Sequence, residues 1–192
     1  LVVCDEVYEH LTFDCEHVSM ATLPGFEDRV LTISSTGKTF SMTGWKIGYA
    51  HGSAPLIAAA QSAHQFLTFA TATPFQQAMA FAVDLPTSFY VGFRAEYAAR
   101  RAALLQALEQ AGLPTWAPQG TYFILSHIGH LGLGSDRDFA HYLTKEVGVA
   151  CIPASPFYPT GRVEDKQLAR FAFCKRLPTI EAAAKRLVRL AQ

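Results

Sequence analysis

Two short runs, residues 1–4 (LVVC) and 30–35 (VLTISS), are apolar and β-branched without polar alternation. A strand with one wet face alternates with period two, whereas a strand covered on both faces does not. Both runs therefore predict strands buried on two faces of an α/β sheet. Such strands need helices over them, and helical stretches follow in the sequence. Asp14, Pro24 and Gly25 mark the connection between the two runs. Residues 45–51 offer a third strand. The Ala-rich stretch after Pro55 and residues 76–83 have helical character, interrupted by Thr71, Ala72, Thr73 and Pro74. From 87 to 110, Phe89, Phe93, Tyr97, Leu104, Leu105 and Leu108 recur near helical spacing, with Arg94, Glu96, Arg100 and Arg101 between them. Gly112 and Pro114 end that helix.

Beyond it the pattern changes. Residues 121–127 predict a strand, 139–146 a helix, 149–152 and 168–174 strands, and 180–190 a closing amphipathic helix. These make an α+β module. The expected organisation is part of a larger α/β domain over residues 1–85 and a smaller domain over 86–192. Half of the 192 residues are apolar and 17% are charged, a balance that can bury a core and excludes an extended disordered chain. Sixteen Lys and Arg face sixteen Asp and Glu, so no global field draws this chain to nucleic acid or an anionic membrane. Basic and aromatic residues do not interleave, and no apolar run approaches the roughly 20 residues that span a bilayer. Neither a nucleic-acid nor a membrane partner is expected. Cys4, Cys15, Cys151 and Cys174 form no CxxC pair and are expected to be reduced, buried thiols, in keeping with a cytoplasmic protein. The opening residues carry no basic leader or cleavage site, and a start on a core strand predicts a fragment.

Chemistry concentrates in residues 34–49, SSTGKTFSMTGWKIGY. Here a strand delivers Lys38 onto a glycine-flanked loop among hydroxyl residues, and Lys46 follows on the next strand. Ser35, Lys38 and Lys46 converge only if the loop folds back, which glycines at 37 and 44 permit. Convergence makes a small cationic pocket lined by hydroxyls, suited to a phosphorylated cofactor. A solvated loop lysine is the plain alternative. Gly37-Lys38-Thr39 echoes a P-loop, but that motif needs a glycine where Thr32 lies inside the strand, which rejects the nucleotide reading. Asp5 and Glu6 follow the first strand directly, at the carboxyl end where ligands of open α/β sheets bind. A helix or loop cap is the competing reading. Tyr8 offers a phenol to the same ligand or packs as an ordinary aromatic. Arg170 lies in an apolar strand, where a charge is costly without a partner; a surface arginine is the other reading. His127 and His130 stand three apart without a Cys or carboxylate beside them, so no metal site is expected.

Taken together, DEVYEH (5–10) and SSTGKTFSMTGWKIGYA (34–50) resemble the class I/II aminotransferases of the fold-type I pyridoxal-phosphate superfamily. The form GKTFSMTGWKIG resembles the kynurenine, glutamine and methionine aminotransferase branch, whose members often also show cysteine-conjugate β-lyase activity. SAHQFLTFATATPFQQA (62–78), PQGTYFIL (118–125), VACIPASPFY (149–158) and ARFAFCK (169–175) are similar to their counterparts there. The resemblance covers nearly the whole chain but only the carboxyl-terminal half of a complete member.

It implies pyridoxal 5′-phosphate as cofactor, amino acids and 2-oxo acids as substrates, and a homodimer. It implies that Lys38 joins the cofactor aldehyde and, once released by substrate, moves the proton at the substrate α-carbon. A partly desolvated lysine amine can serve as nucleophile and as base. Asp5 would face the pyridine nitrogen and keep it protonated, and Tyr8 would hydrogen-bond the ring's phenolic oxygen. Ser35 and Lys46 would hold the phosphate, with lysine at the second position where the family often has arginine. Arg170 would clamp the substrate α-carboxylate in bidentate fashion, and Phe69 would line the side-chain pocket, reached from the partner subunit. The family's aromatic lid, its asparagine partner and its phosphate-binding helix lie upstream of residue 1. Little or no transaminase activity is therefore expected of the fragment alone. A C–S β-lyase on the same scaffold and a non-catalytic relic or regulatory domain are the alternatives.

Overall fold

A computed structural model describes residues 1–159 and 167–191. The chain packs as two compact units, Leu1–Arg94 and Ala95–Gln192.

In the first unit, β1 (Val2–Asp5), β2 (Val30–Ser35) and β3 (Gly48–His51) form a sheet in that order. β1 runs parallel to β2, with Val2 opposite Val30 and Asp5 opposite Ile33. β3 is antiparallel, with Ser35 opposite Gly48 and Thr32 opposite His51. The central strand buries Val30, Thr32 and Ser34 and half-buries the residues between them. β1 departs from the expected two-sided burial, because it is an edge strand whose Val3 and Asp5 are exposed. Glycine is required where β3 meets β2: a Cβ on Gly48 would stand 2.6 Å from the Ser34 carbonyl oxygen. The third strand begins at Gly48, later than expected, because Thr43–Trp45 forms a 3-10 turn and Lys46 takes left-handed backbone, φ 56° and ψ 38°. A short helix, α1 (Thr36–Thr39), follows β2 directly, and α2 (Ala54–Leu67) and α3 (Thr73–Val83) follow β3.

The long helix α4 (Thr87–Gln110) has the expected bounds and carries the chain from one unit into the next. Its buried face is Phe93, Tyr97, Leu104, Ala107 and Leu108. It ends in a Schellman motif: Gly112 takes φ 71°, the Leu113 N–H donates to the Leu108 carbonyl at 3.0 Å, and the Gly112 N–H donates to Glu109 at 2.9 Å.

The second unit is the expected α+β module. β4 (Thr115–Trp116), β5 (Phe123–His127), β6 (Ile152–Pro153) and β7 (Leu168–Ala172) pair antiparallel in the order β4-β5-β7-β6. Helix α5 (Asp136–Tyr142) starts earlier than its apolar residues suggest, because Ser135 and Asp138 form a capping box. It continues as a π turn over Leu143–Val147 and stops at Gly148, φ 75°. α6 (Leu177–Leu187) turns Ile180 and Leu187 inward. Ile124, Phe139, Leu143, Ala169, Phe171, Phe173 and Leu187 make the core. None of the four cysteines is in a disulfide; Cys15 is exposed rather than buried and the other three are half-buried. Among the described residues no helix is long and apolar enough to cross a membrane.

Candidate active site

The candidate residues of the first unit gather through strand topology. β1 and β2 are parallel and end side by side at Asp5 and Ser35, and β3 enters from that same end at Gly48. Asp5, Ser35, Lys38 and Lys46 therefore share the carboxyl edge of β1 and β2, with the 6–11 turn that carries Tyr8 leaving from it.

Ser35 ends β2 and caps α1. Its Oγ accepts from the Gly37 N–H at 3.1 Å and donates to the Ile47 carbonyl at 3.3 Å. Thr36 donates to that carbonyl through its Oγ1 at 2.9 Å and its N–H at 3.2 Å. One oxygen thus fastens the lysine turn to the segment entering β3. A Cβ on Gly37 would stand 2.9 Å from Thr43 Cα, so the chain folds back only because the residue is glycine. Gly44, expected with Gly37 to let the loop fold back, has open space around it; the close approaches here are made by Gly37 and Gly48.

Lys38 is half-buried, with its Nζ 5.9 Å from the centroid of the Tyr8 ring. That face-on geometry suits an ammonium, since the ring face carries negative charge. Lys46 is exposed and closes the Thr43–Trp45 turn. Trp45 in that turn stacks on Phe75, ring centroids 4.5 Å apart.

The two adjacent carboxylates have separate fates. Glu6 is buried and takes hydrogen bonds from His17 Nε2 at 2.9 Å, Ser19 Oγ at 3.0 Å and the Met20 N–H at 3.1 Å. Burial pushes its carboxyl up, but those hydrogen bonds outweigh burial and hold it below the ordinary range. Glu6 therefore pins the loop after β1. Asp5 is exposed, and its Oδ1 accepts from the Val7 N–H at 3.2 Å, leaving the carboxylate facing solvent at the strand end.

Glu9, to which the sequence reading gives no role, ties this edge together. Its Oε1 accepts from Ser34 Oγ at 2.7 Å and from the Tyr49 hydroxyl at 2.9 Å, which joins the Tyr8 turn to β2 and β3. Its only sequence signal is a third acid within DEVYEH. Glu9 and His10 line a cavity of about 590 Å³ with Thr36, Thr39, Phe40 and Tyr90. The His10 ring packs on Tyr90 with centroids 4.5 Å apart; burial, with Arg94 adding to it, holds the imidazole below its usual range and so neutral at pH 7.

Phe69 closes α2, donating its N–H to the His64 carbonyl at 3.0 Å in left-handed backbone with φ 67°, and its ring is exposed. Arg170 belongs to the second unit, on β7, with Cζ 4.9 Å from the Phe123 ring centroid and 4.8 Å from that of Phe157. The partner its strand position demands is therefore aromatic. Phe123 and Phe157 fall in segments the resemblance includes, but nothing in their spacing points to Arg170.

The chemistry of the first-unit set fits pyridoxal phosphate. It offers an ammonium and a hydroxyl for an anion, an amine for an aldehyde, a carboxylate for a ring nitrogen and a phenol for a ring oxygen. A mixed α/β sheet that presents this set at one edge can hold a phosphorylated aldehyde cofactor. The aminotransferase class I and II family model matches residues 1–187, and the chain belongs to that family, which uses pyridoxal phosphate.

Among relatives, the kynurenine–oxoglutarate transaminase of Dictyostelium discoideum is 39% identical over 98% of this chain and 48% of its own length. The methionine aminotransferase of Escherichia coli is 38% identical over 98% of this chain and 49% of its own. The solved N-succinyldiaminopimelate aminotransferase of Mycobacterium tuberculosis superposes with a TM-score of 0.93 at 41% identity, over 99% of this chain and 50% of that one. The chain thus spans about half the length of the relatives it matches.

Proposed function

We propose that this chain carries the pyridoxal-phosphate site of an aminotransferase of the kynurenine, glutamine or methionine type, which moves an amino group between an amino acid and a 2-oxo acid. Residues 1–85 then belong to the cofactor domain and 86–192 to the small domain, in an enzyme that works as a homodimer. The carrying observation is the Lys38 amine held over the Tyr8 ring at a sheet edge that also ends in Asp5 and Ser35. When bound, pyridoxal phosphate supplies an electron-accepting ring that stabilises negative charge on the substrate α-carbon.

Every other part of the reaction falls to side chains. Lys38 holds the cofactor aldehyde and, once displaced, takes and returns the proton at the substrate α-carbon. Asp5 keeps the proton on the pyridine nitrogen, because a neighbouring carboxylate favours the cationic form. Tyr8 donates its hydroxyl to the ring oxygen. Ser35 and Lys46 hold the phosphate, the first by turning its hydroxyl proton from the Ile47 carbonyl to a phosphate oxygen, the second as a point charge on a flexible stem. Arg170 binds the substrate α-carboxylate, and Phe69 borders the substrate side chain.

Because the chain spans about half the length of its relatives, the test reads cofactor capture rather than turnover. The chain is incubated with pyridoxal phosphate, reduced with borohydride and mapped by peptide mass. The reduced label is expected on Lys38 and is lost from that peptide in Lys38→Ala. Label spread evenly over the exposed lysines, Lys46 among them, overturns the reading.

A further inference from the structure

The surroundings of Arg170 carry a second assignment. β7 lies between β5 and β6, and the Cα partners of Arg170 are Leu125 on one side and Ile152 on the other. Side chains repeat every second residue along a strand, so Phe123 projects from the same sheet face as Leu125 and Arg170. Its ring centroid lies 4.9 Å from Arg170 Cζ. On the other flank the chain leaves β6 through the turn Ser155–Phe157, and the Phe157 centroid lies 4.8 Å from the same carbon. Each neighbouring strand thus delivers one aromatic ring to the guanidinium. Among the described residues no carboxylate pairs with Arg170; the ion pairs there are His17 with Glu6 and Arg100 with Glu96.

Guanidinium uses different parts of itself for the two kinds of partner. Aromatic rings attract its flat faces, whereas carboxylates bind the N–H groups along its edge, two at a time. Ring contact and carboxylate contact therefore do not compete. An arginine already held by its faces also loses less rotamer freedom when the anion arrives.

We propose that Phe123 and Phe157 are positioning residues that hold the plane of the Arg170 guanidinium and leave its edge open to a substrate α-carboxylate. This rests on the reading of Arg170 as the carboxylate clamp. Phe157 is 62% exposed, so burying its own ring contributes little to the core, and its ring lies against Arg170.

The test uses the 192-residue chain, its Phe157→Leu and Phe157→Tyr variants, and pyruvate as the carboxylate probe. Without ligand, the Arg170 side-chain N–H signals in nitrogen-correlated NMR are expected to show restricted rotation and a ring-induced shift. Both features weaken in Phe157→Leu, which leaves the Phe123 ring alone, and persist at full size in Phe157→Tyr. With pyruvate, the wild-type Arg170 signals shift, Phe157→Leu weakens the apparent Kd by about fivefold, and Phe157→Tyr restores it. A merely structural ring would lower the melting temperature in Phe157→Leu and leave the pyruvate Kd unchanged, which overturns the positioning role even if pyruvate still binds Arg170. Failure of pyruvate to move the wild-type Arg170 signals, with the ligand-free restriction intact, overturns the clamp reading itself.

Discussion

The two sheets of this chain use similar residues and receive different cover. In the second unit β5 and β7 alternate, and Ile124 is 0% exposed on the inward face. In the first unit β1 is apolar on both faces, yet Val3 is 68% exposed, and Phe66 on α2 is 87% exposed. Alternation in β5 asks for cover on one side and obtains it; the unbroken apolar run of β1 asks for cover on both and obtains less. Apolar sequence pattern therefore records a demand for burial that a given length of chain need not meet by itself. All the residues proposed to touch cofactor, Asp5, Tyr8, Ser35, Lys38 and Lys46, lie in the less covered unit. The self-contained core lies in the unit that carries only Arg170.

The largest expected contrast comes from trimming one side chain in each region. Phe173 is fully buried, with its ring edge-on to Tyr97 at 6.3 Å between centroids. Phe173→Ala should cost about 3–5 kcal/mol, the usual price of deleting a buried aromatic ring. Val3→Ala should stay within about 0.5 kcal/mol, as substitutions at exposed positions do. Urea unfolding followed by circular dichroism compares them; a Val3→Ala loss as large as the Phe173→Ala loss would mean that the outer face of β1 is covered after all.

A middle-sized effect separates composition from geometry inside the first unit. Gly48→Ala places a methyl group 2.6 Å from the Ser34 carbonyl oxygen, so β3 must move away from β2. The expected cost is about 1–3 kcal/mol, the range for overpacking a closed site. Hydrogen exchange should quicken at the β2 and β3 amides. Gly44→Ala, with nothing near its Cβ, is the control and should leave both stability and exchange close to wild type. Equal behaviour of the two variants would mean that the lysine turn is not held by that close approach.

Local patterns were legible where local physics decides them. The bounds of β2 and α4 match expectation, because an unbroken β-branched run and a long amphipathic period leave little room for another structure. Ends set by single backbone angles were not legible. Lys46 at φ 56° delays the third strand and Thr121 at φ 70° delays β5, and neither residue type announces left-handed backbone. The start of α5 was missed because its capping box, Ser135 with Asp138, precedes the first apolar residue of the helix. Asp5, Ser35 and Lys38 could be placed at one sheet edge because the first two end strands and Lys38 lies three residues past the second. Glu9 could not, since its partners Ser34 and Tyr49 lie 25 and 40 residues along the chain and meet it only through strand register. The aromatic flanks of Arg170 escaped for the same reason: Phe123 reaches it across the β5–β7 pairing, Phe157 from the turn after β6.

The smallest expected effect lies at Glu6, which makes the first unit sensitive to acid. Its carboxyl is held below the ordinary glutamate value of about 4.3, which stands for the unfolded chain. A depressed folded value means that the unfolded state binds protons first as pH falls. The contribution of Glu6 to stability is therefore complete above about pH 4.3 and fades as pH drops through the lower folded value. The effect is small because burial opposes the hydrogen bonds from His17, Ser19 and Met20, so only the remainder reaches the measurement. Glu6→Gln keeps the shape and removes the titration. Its melting temperature should start below wild type at neutral pH and converge toward it as pH falls below about 4.3. Parallel curves across that range would show that the loop after β1 is held by something other than the Glu6 charge. The hydrogen-bond network would then be no firmer than the thin cover of the sheet beside it.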